Sequence, residues 1–347
     1  MPQAQAEKAR PDFFDYYDYP SVGRDDWRYM FQSARVRSLE TLMLTHGILA
    51  DMANAEDFAS AMASLGGTEY ALPQGGASVD FEVALQEQRA EVRELFQSLM
   101  LDERITAVFK SQDDFANLRL ILRRALTDRS IGTDYSPEGN VPPEVLVQAF
   151  EEENYVALPA YLRQAADEGT LAYYENKDIR AIDHAVDRVQ ADYKLSTAGE
   201  VGGVFLPNLF RIQIDLTNIR TMLRLKLLDA EQRDVFLTGG FVKLERFRQG
   251  LDLGYEALGP LFFGTPYHAV VDAGAGYVAA NGSFLKIEQQ CDDYLMGYLR
   301  SAGQITAGPQ PIIAYLLRKE QEVRTVRLIL TAKRNHLDRQ FILDRIA

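Results

Sequence analysis

Three copies of one short polar signature, each about a hundred residues from the next, constrain this chain more than any other feature. They read Asp114-x-x-Asn117-Leu118-Arg119-x-x-Leu122, Asp215-x-x-Asn218-Ile219-Arg220-x-x-Leu223 and Glu322-x-x-Thr325-Val326-Arg327-x-x-Leu330. The arginines stand 101 and 107 residues apart. That spacing is far longer than the period of solenoid repeats, so each copy belongs to a small domain and not to a single hairpin. The chain reads as a triplication.

Helical periodicity dominates the sequence around these copies. Trp27 to Met52 places Met30, Phe31, Ala34, Leu39, Leu42, Met43 and Leu49 at steps mostly of three and four, which predicts one long amphipathic helix. Ser283 precedes a second such run, Phe284 to Leu299, as an N-cap would. Pro309 and Pro311 open a third, which carries an apolar stripe to Asn335. Alternation of period two is scarce; Phe210 to Leu216 shows some and runs directly into the second signature. The fold class these patterns predict is all-α.

Turn-forming clusters at Leu72-Pro73-Gln74-Gly75-Gly76, Ser136-Pro137-Glu138-Gly139-Asn140 and Leu237-Thr238-Gly239-Gly240 punctuate the helices. The second and third of them each follow a signature by roughly a dozen residues. They divide the chain into an N-terminal leader, residues 1–24, and three helical repeats, residues 25–135, 136–238 and 239–347. The leader is aromatic and acidic, Asp12-Phe13-Phe14-Asp15-Tyr16-Tyr17-Asp18-Tyr19-Pro20, and reads as a clamp docked on the body or as a flexible tag.

Charge narrows the partners. A formal net charge of −13 argues against nucleic acid, whose phosphates are bound by Lys and Arg, and against a surface that relies on anionic lipid. Proteins are the expected partners. A single cysteine, Cys291, forms no internal disulfide and fits a reducing compartment, hence a cytoplasmic reading. No stretch approaches the eighteen or so apolar residues of a membrane helix, and Met1 to Arg10 lacks the apolar core of a secretory signal. Any membrane role is therefore expected to be peripheral.

Catalytic constellations are weak. His46, His184, His268 and His336 are scattered, with no zinc-ligand spacing among them. Gly274-Ala275-Gly276-Tyr277-Val278-Ala279 superficially looks like a dinucleotide loop, but no strand precedes it and it reads as a connection between helices. No Gly-x-x-x-x-Gly-Lys-Ser/Thr occurs. Cys291 falls on the apolar side of its helix. The expectation is no catalytic residue, no cofactor site and no metal site.

Several blocks together carry a family resemblance: Tyr29 with Ala34-Arg35-Val36-Arg37, then Leu65-Gly66-Gly67-Thr68-Glu69-Tyr70, then Gly308-Pro309-Gln310-Pro311-Ile312-Ile313-Ala314-Tyr315-Leu316-Leu317 leading to Lys319, Glu320, Glu322 and Arg327. Over residues from about Trp27 to the C-terminus the chain resembles the C subunit of archaeal and bacterial V/A-type rotary ATPases, equivalent to the eukaryotic d subunit. Thr265-Pro266-Tyr267 repeats the Thr-x-Tyr element.

The resemblance implies a funnel of three similar helical domains around a pseudo-threefold axis. It further implies a non-catalytic central-stalk subunit on the cytoplasmic face of the membrane, peripheral to it. Such a subunit links the shaft made by the D and F subunits to the proteolipid rotor ring and passes torque between them. The competing reading is a triplicated helical scaffold outside any rotary motor.

The signature residues have two readings of their own. An acid and an arginine five residues apart on a helix point about 140° apart, so Asp114 and Arg119 must pair with other helices. In one reading, Asp114, Asp215 and Glu322 with Arg119, Arg220 and Arg327 are pegs holding each repeat's helices in register. In the other, some of these arginines, with Arg123, Arg124, Arg224, Lys333 and Arg334, line a mouth or rim that meets acidic partner surfaces.

Overall fold

The computed structural model describes residues 19–71, 81–127, 132–230 and 233–346. Among them every regular element is helical and no strand occurs, as the periodicity predicts. In chain order the α-helices are α1 (Met30–Glu40), α2 (His46–Asn54), α3 (Phe58–Ala63), α4 (Phe81–Leu99) and α5 (Glu103–Leu126). There follow α6 (Pro143–Glu151), α7 (Ala160–Asn176), α8 (Ile179–Val201), α9 (Phe205–Leu227) and α10 (Leu244–Asp252). The last are α11 (Leu258–Leu261), α12 (His268–Asn281), α13 (Leu285–Ser301), α14 (Pro309–Arg334) and α15 (Arg339–Ile346). The three signatures lie in α5, α9 and α14.

Local sequence sets many of the helix ends. The Asp57 carboxylate takes the Ser60 N–H at the start of α3. Asp26, Asp102 and Asp178 each accept the backbone N–H two residues on and also pair with that residue's guanidinium, from Arg28, Arg104 and Arg180. Pro309 occupies the first turn of α14, where its missing N–H costs nothing.

Three expectations are corrected. Residues 27–52 do not form one helix: a short 3-10 turn at Trp27–Tyr29 leads into α1, and the chain turns at 41–45 before α2. Thr45 accepts the Ile48 N–H as a new N-cap, which competes with helix continuation. Gly274 to Ala279 is not a connection but the interior of α12. Gly274 serves packing there, since a Cβ at that position would collide with Ile287 of α13. The α13 helix begins at Leu285, one residue later than the apolar run, and Ser283 Oγ accepts the Leu285 N–H at 3.4 Å. The turn cluster at 72–76 and the leader residues 1–18 lie outside the described residues.

The described residues pack as two compact units. One gathers residues 102–225 and 229–248. In it α7 and α8 form a hairpin that turns at Lys177, whose backbone is left-handed (φ 53°). Helix α5 lies against both and against α6, burying Phe115, Leu118 and Leu122 among Leu146, Leu162, Ile182 and Val186. Gly169 lets α7 approach closely, because a Cβ there would stand 3.0 Å from Leu122 Cδ1.

The other unit gathers residues 19–101, 226–228 and 249–346. Its axis is α14, on which α1, α2, α3, α4, α13 and α15 all pack. Val323, Val326, Ile329 and Leu330 of α14 meet Met52, Ala61, Leu65, Phe81 and Leu85. Described residues between Leu44 and Leu85 and between Val323 and Ile346 thus share one core. Sequence periodicity within either stretch cannot reveal such sharing.

Candidate functional site

The acids of the signature do the same work in all three copies. In α5 the buried Asp114 accepts the Val141 backbone N–H at 3.0 Å and the Asn140 side-chain amide at 2.8 Å. In α9 the buried Asp215 accepts the Phe241 and Val242 N–H groups at 2.9 and 3.2 Å. In α14 Glu322 accepts the Leu44 N–H at 2.6 Å. Val141, Val242 and Leu44 each stand two residues before a short helix, α6, α10 and α2 respectively. Each of those helices is nine residues long. A carboxylate held against backbone N–H groups just ahead of a helix satisfies donors that would otherwise be buried without partners, and its charge suits the positive end of the helix dipole.

The asparagines complete the first two clamps. Asn117 accepts the Ser136 N–H and donates to the Ser136 carbonyl, both at 2.8 Å. Asn218 does the same to Leu237, at 2.8 and 2.9 Å. In both copies the asparagine reaches 19 residues ahead and the acid 27. The glycines of the turns make room for this. A Cβ added to Gly139 would overlap Asp114 Oδ1, and one added to Gly240 would overlap Asp215 Oδ1. Glycine is therefore required here by close approach of a carboxylate rather than by backbone angle.

The third clamp is built differently. Thr325 replaces the asparagine and donates to Gln321 of its own helix, so the loop loses that contact. In compensation Glu322 also accepts the Tyr70 hydroxyl at 2.8 Å and pairs with Lys319 at 2.5 Å. Lys319 is only 1 % exposed and bonds Glu69 as well, at 2.7 Å, with its ammonium 4.8 Å from the centre of the Tyr70 ring. A tyrosine recurs at the first clamp: Tyr161 donates to Asp114 Oδ2 at 2.7 Å. Burial, reinforced by these carboxylates, holds both phenols well above their ordinary range.

The ends of two of the short helices are also fixed by the signature helices. Lys226 of α9 donates to the carbonyls of Leu251 and Leu253, at the end of α10. Lys333 of α14 donates to the Ala55 carbonyl at 2.5 Å, at the end of α2. Each lysine stands six residues after its signature arginine, and in the first copy that position is Ala125. An ammonium at a helix C-terminus is the complement of a carboxylate at its start.

The signature arginines reach away from the acids, as helix geometry predicts. Arg119 pairs with Asp187 and Gln190 of α8, and Arg327 pairs with Glu82 of α4 at 2.8 Å. Arg220 is half-buried in α9. Of the residues considered for a rim, Arg123 pairs with Asp183, Lys333 caps α2, and Arg334 lies 5.8 Å from the Phe81 ring centre. Arg124, Arg224 and Arg334 are exposed.

The remaining candidates are dispersed. His268 Nδ1 sits 2.8 Å from the Gly259 carbonyl, His46 opens α2, His184 lies within α8, and His336 follows α14. Among the described residues no group of three or more His, Cys, Asp or Glu is placed to hold a metal ion. Cys291 is fully buried in α13, as its position on the apolar face predicts. No described helix is long and apolar enough to cross a membrane. Gly139, Gly240, Lys226, Lys319 and the two tyrosines escape a reading of the signature alone. Equal spacing was the available signal: both glycines stand 25 residues after their acid.

What these observations define is an all-helical protein in which one signature helix recurs, each time bracing the start of a short helix elsewhere in the chain. The chain belongs to the ATP synthase (C/AC39) subunit family, whose sequence profile matches residues 32–345. It is 23% identical over 274 residues to the C subunit of the V-type sodium ATPase of Enterococcus hirae, covering 78% of this chain and 83% of that one. It is 25% identical over 331 residues to the C subunit of the A-type ATP synthase of Pyrococcus abyssi, covering 89% and 88%. With the corresponding A-type ATP synthase C subunit of Thermococcus onnurineus it shares 26% over 323 residues, covering 87% and 85%.

Proposed function

We propose that this chain is a non-catalytic central-stalk subunit of a V/A-type rotary ATPase, a socket that joins the shaft made by the D and F subunits to the proteolipid ring. The observation that carries the reading is the family profile running through residues 32–345, over all three signature helices. In this role the protein acts on the cytoplasmic face of the membrane and attaches through protein contacts. It serves ATP-driven ion pumping or ion-driven ATP synthesis without performing either reaction.

Torque transmission asks for stiffness at the joints between helices. The loops at 136–141, 237–242 and 41–45 are such joints, and each is tied to a signature helix by a carboxylate. Three similar domains related by a pseudo-threefold axis, forming a funnel, belong to the same proposal. The matched offsets of the first two clamps and the equivalent position of the third support it. In this scheme the signature residues are braces, and contacts with the shaft and ring come from other surfaces.

The test is recovery of partners. A tagged full-length chain, expressed in its own host, is purified from detergent-solubilised membranes. The coupling role predicts co-purification of the proteolipid ring or of the D and F subunits. Recovery of soluble partners alone would overturn it.

A further inference from the structure

The chain enters each signature helix in a different way. At α5 the cap is local, with Asp102 accepting the Arg104 N–H at 3.0 Å. Into α9 it passes through Gly202 and Gly203, both at positive φ (84° and 75°). At α14 no local side chain caps the helix: Gly308 stands at the N-cap, and Pro309 and Pro311 carry no N–H. The loop ahead of it, 302–308, is held instead from the other end of the sequence. Asp25 Oδ1 accepts the Thr306 and Ala307 N–H groups at 2.7 and 3.2 Å, and the Asp26 N–H donates to the Ala307 carbonyl at 2.7 Å. The buried Gln310 amide donates to the Val22 and Arg24 carbonyls at 3.2 and 3.1 Å. From α1, Ser33 Oγ accepts the Gly308 N–H at 3.0 Å, and Arg37 donates to the Ala302 and Ile305 carbonyls.

Residues 19–26 are held more lightly than α1. They form no regular element, and Ser21, Arg24 and Asp25 are exposed while Val22 is buried. At the far end Tyr19, still 38 % exposed, lays its ring against Tyr294 and Tyr298, with centroids 5.1 and 6.3 Å away. Its hydroxyl sits in a notch on α13 that exists because residue 297 is glycine; a Cβ there would overlap the phenol. Between the two anchors the backbone turns at Gly23 with φ 91°, a conformation that a side chain disfavours. Few buried apolar contacts and many exposed hydrogen bonds mark a segment that opens at low free energy.

We propose that residues 19–26 are a strap that opens and closes as one piece over the joint between α13 and α14, hinged at the Trp27–Tyr29 turn, while α1 stays packed on α14. Closed, it completes the start of α14, the axis of its unit. Open, it leaves that joint to Ser33 and Arg37. The device belongs to the chain itself and stands apart from the coupling role proposed above.

Two substitutions test it at a distance. Gly23→Ala and Gly297→Ala alter neither Asp25 nor loop 302–308. Each should nonetheless speed backbone hydrogen exchange at Thr306 and Ala307 about tenfold, read residue by residue in the full-length chain. Amides inside α12 and α14, at Val278 and Val326, should exchange as in the unaltered protein. Asp25→Ala runs the test in reverse, because it leaves the notch intact. It should raise nitration of Tyr19 by tetranitromethane about threefold, mapped by peptide mass spectrometry. Unchanged exchange at Thr306 and Ala307 in either glycine variant, or unchanged nitration of Tyr19, would overturn the single-piece strap. Faster exchange spread evenly through α12 and α14 would overturn it in favour of a segment that opens only with its whole unit.

Discussion

Glu322 accepts the backbone N–H of Leu44 across 278 residues of sequence, so the last signature helix braces a loop near the beginning of the chain. The same carboxylate holds Tyr70 and Lys319, which makes it the hub of a buried polar cluster. Removing it strands a backbone donor and leaves a buried ammonium with Glu69 alone. Glu322→Ala is expected to destabilise the protein by about 3–5 kcal/mol, read by chemical denaturation. Pairing Glu322→Gln with Lys319→Met removes both charges. The double variant should lose less stability than the sum of its single changes. Simple additivity would show that the two side chains act independently.

The Asp215 clamp and Gly240 occupy one another's space. Asp215→Ala unsatisfies the Phe241 and Val242 N–H groups and should cost about 2–4 kcal/mol. Gly240→Ala pushes a methyl group onto the carboxylate and should cost about 1–3 kcal/mol. With the carboxylate gone the methyl group has room, so the double variant is expected to be no worse than Asp215→Ala. A double-mutant cycle by thermal unfolding checks this, and the Asp114 and Gly139 pair should repeat the result.

Alkaline stability should fall through the clamp tyrosines. The Tyr161 phenol titrates well above its ordinary value of 10.0 when folded, through burial and its bond to Asp114. Below pH 10 both folded and unfolded forms keep the proton, and the stabilisation is complete. Above it the unfolded chain ionises first, so stability is lost as pH rises. Tyr70 acts in the same direction, and burial pushes Tyr315 up to about 12. Tyr161→Phe should lower stability at pH 8 by about 1 kcal/mol and make the fall above pH 10 shallower. Unfolding midpoints from pH 8 to 11 supply the comparison; an unchanged slope would contradict it.

Part of this architecture is legible in the sequence, and physical reasons separate that part from the rest. The signatures, the glycine turns at 136–140 and 237–240 and the buried Cys291 follow from local periodicity and turn chemistry. The 140° rule correctly sends Arg119 and Arg327 to partners on other helices. The joint between α1 and α2 was hidden, because Met30, Phe31 and Leu42 fit a core-facing stripe and the structure leaves them exposed. Gly274 of α12 looks like a loop residue because close packing on Ile287 and a turn both demand a missing side chain. The Glu322 clamp was invisible for a different reason. Its partner Leu44 carries no polar side chain, and only a backbone N–H, which every residue but proline offers, takes part.

Lys194 makes the opposite contribution to the tyrosines. Burial, with the Arg119 guanidinium nearby, pushes its ammonium from the ordinary 10.5 down to about 8. The side chain leans on the Phe210 ring, 5.8 Å from its centre. Below pH 8 the lysine is charged in both states, and folding carries the full cost of burying that charge. Between about pH 8 and 10.5 the unfolded chain holds the proton that the folded protein has released, so stability rises with pH. Lys194→Met keeps the packing and removes the charge. It should raise stability at pH 7 by about 1–3 kcal/mol and abolish that rise. Lys194→Arg cannot release its proton in this range, so it should match the unaltered protein at pH 7 and lack the rise above about pH 8. The two variants therefore separate at pH 7, where only methionine gains, and again at pH 9.5, where arginine falls below the unaltered protein. Denaturation of both at pH 7 and 9.5 decides the matter: if methionine gives no gain at pH 7, the charge on Lys194 is already solvated and its burial carries no cost.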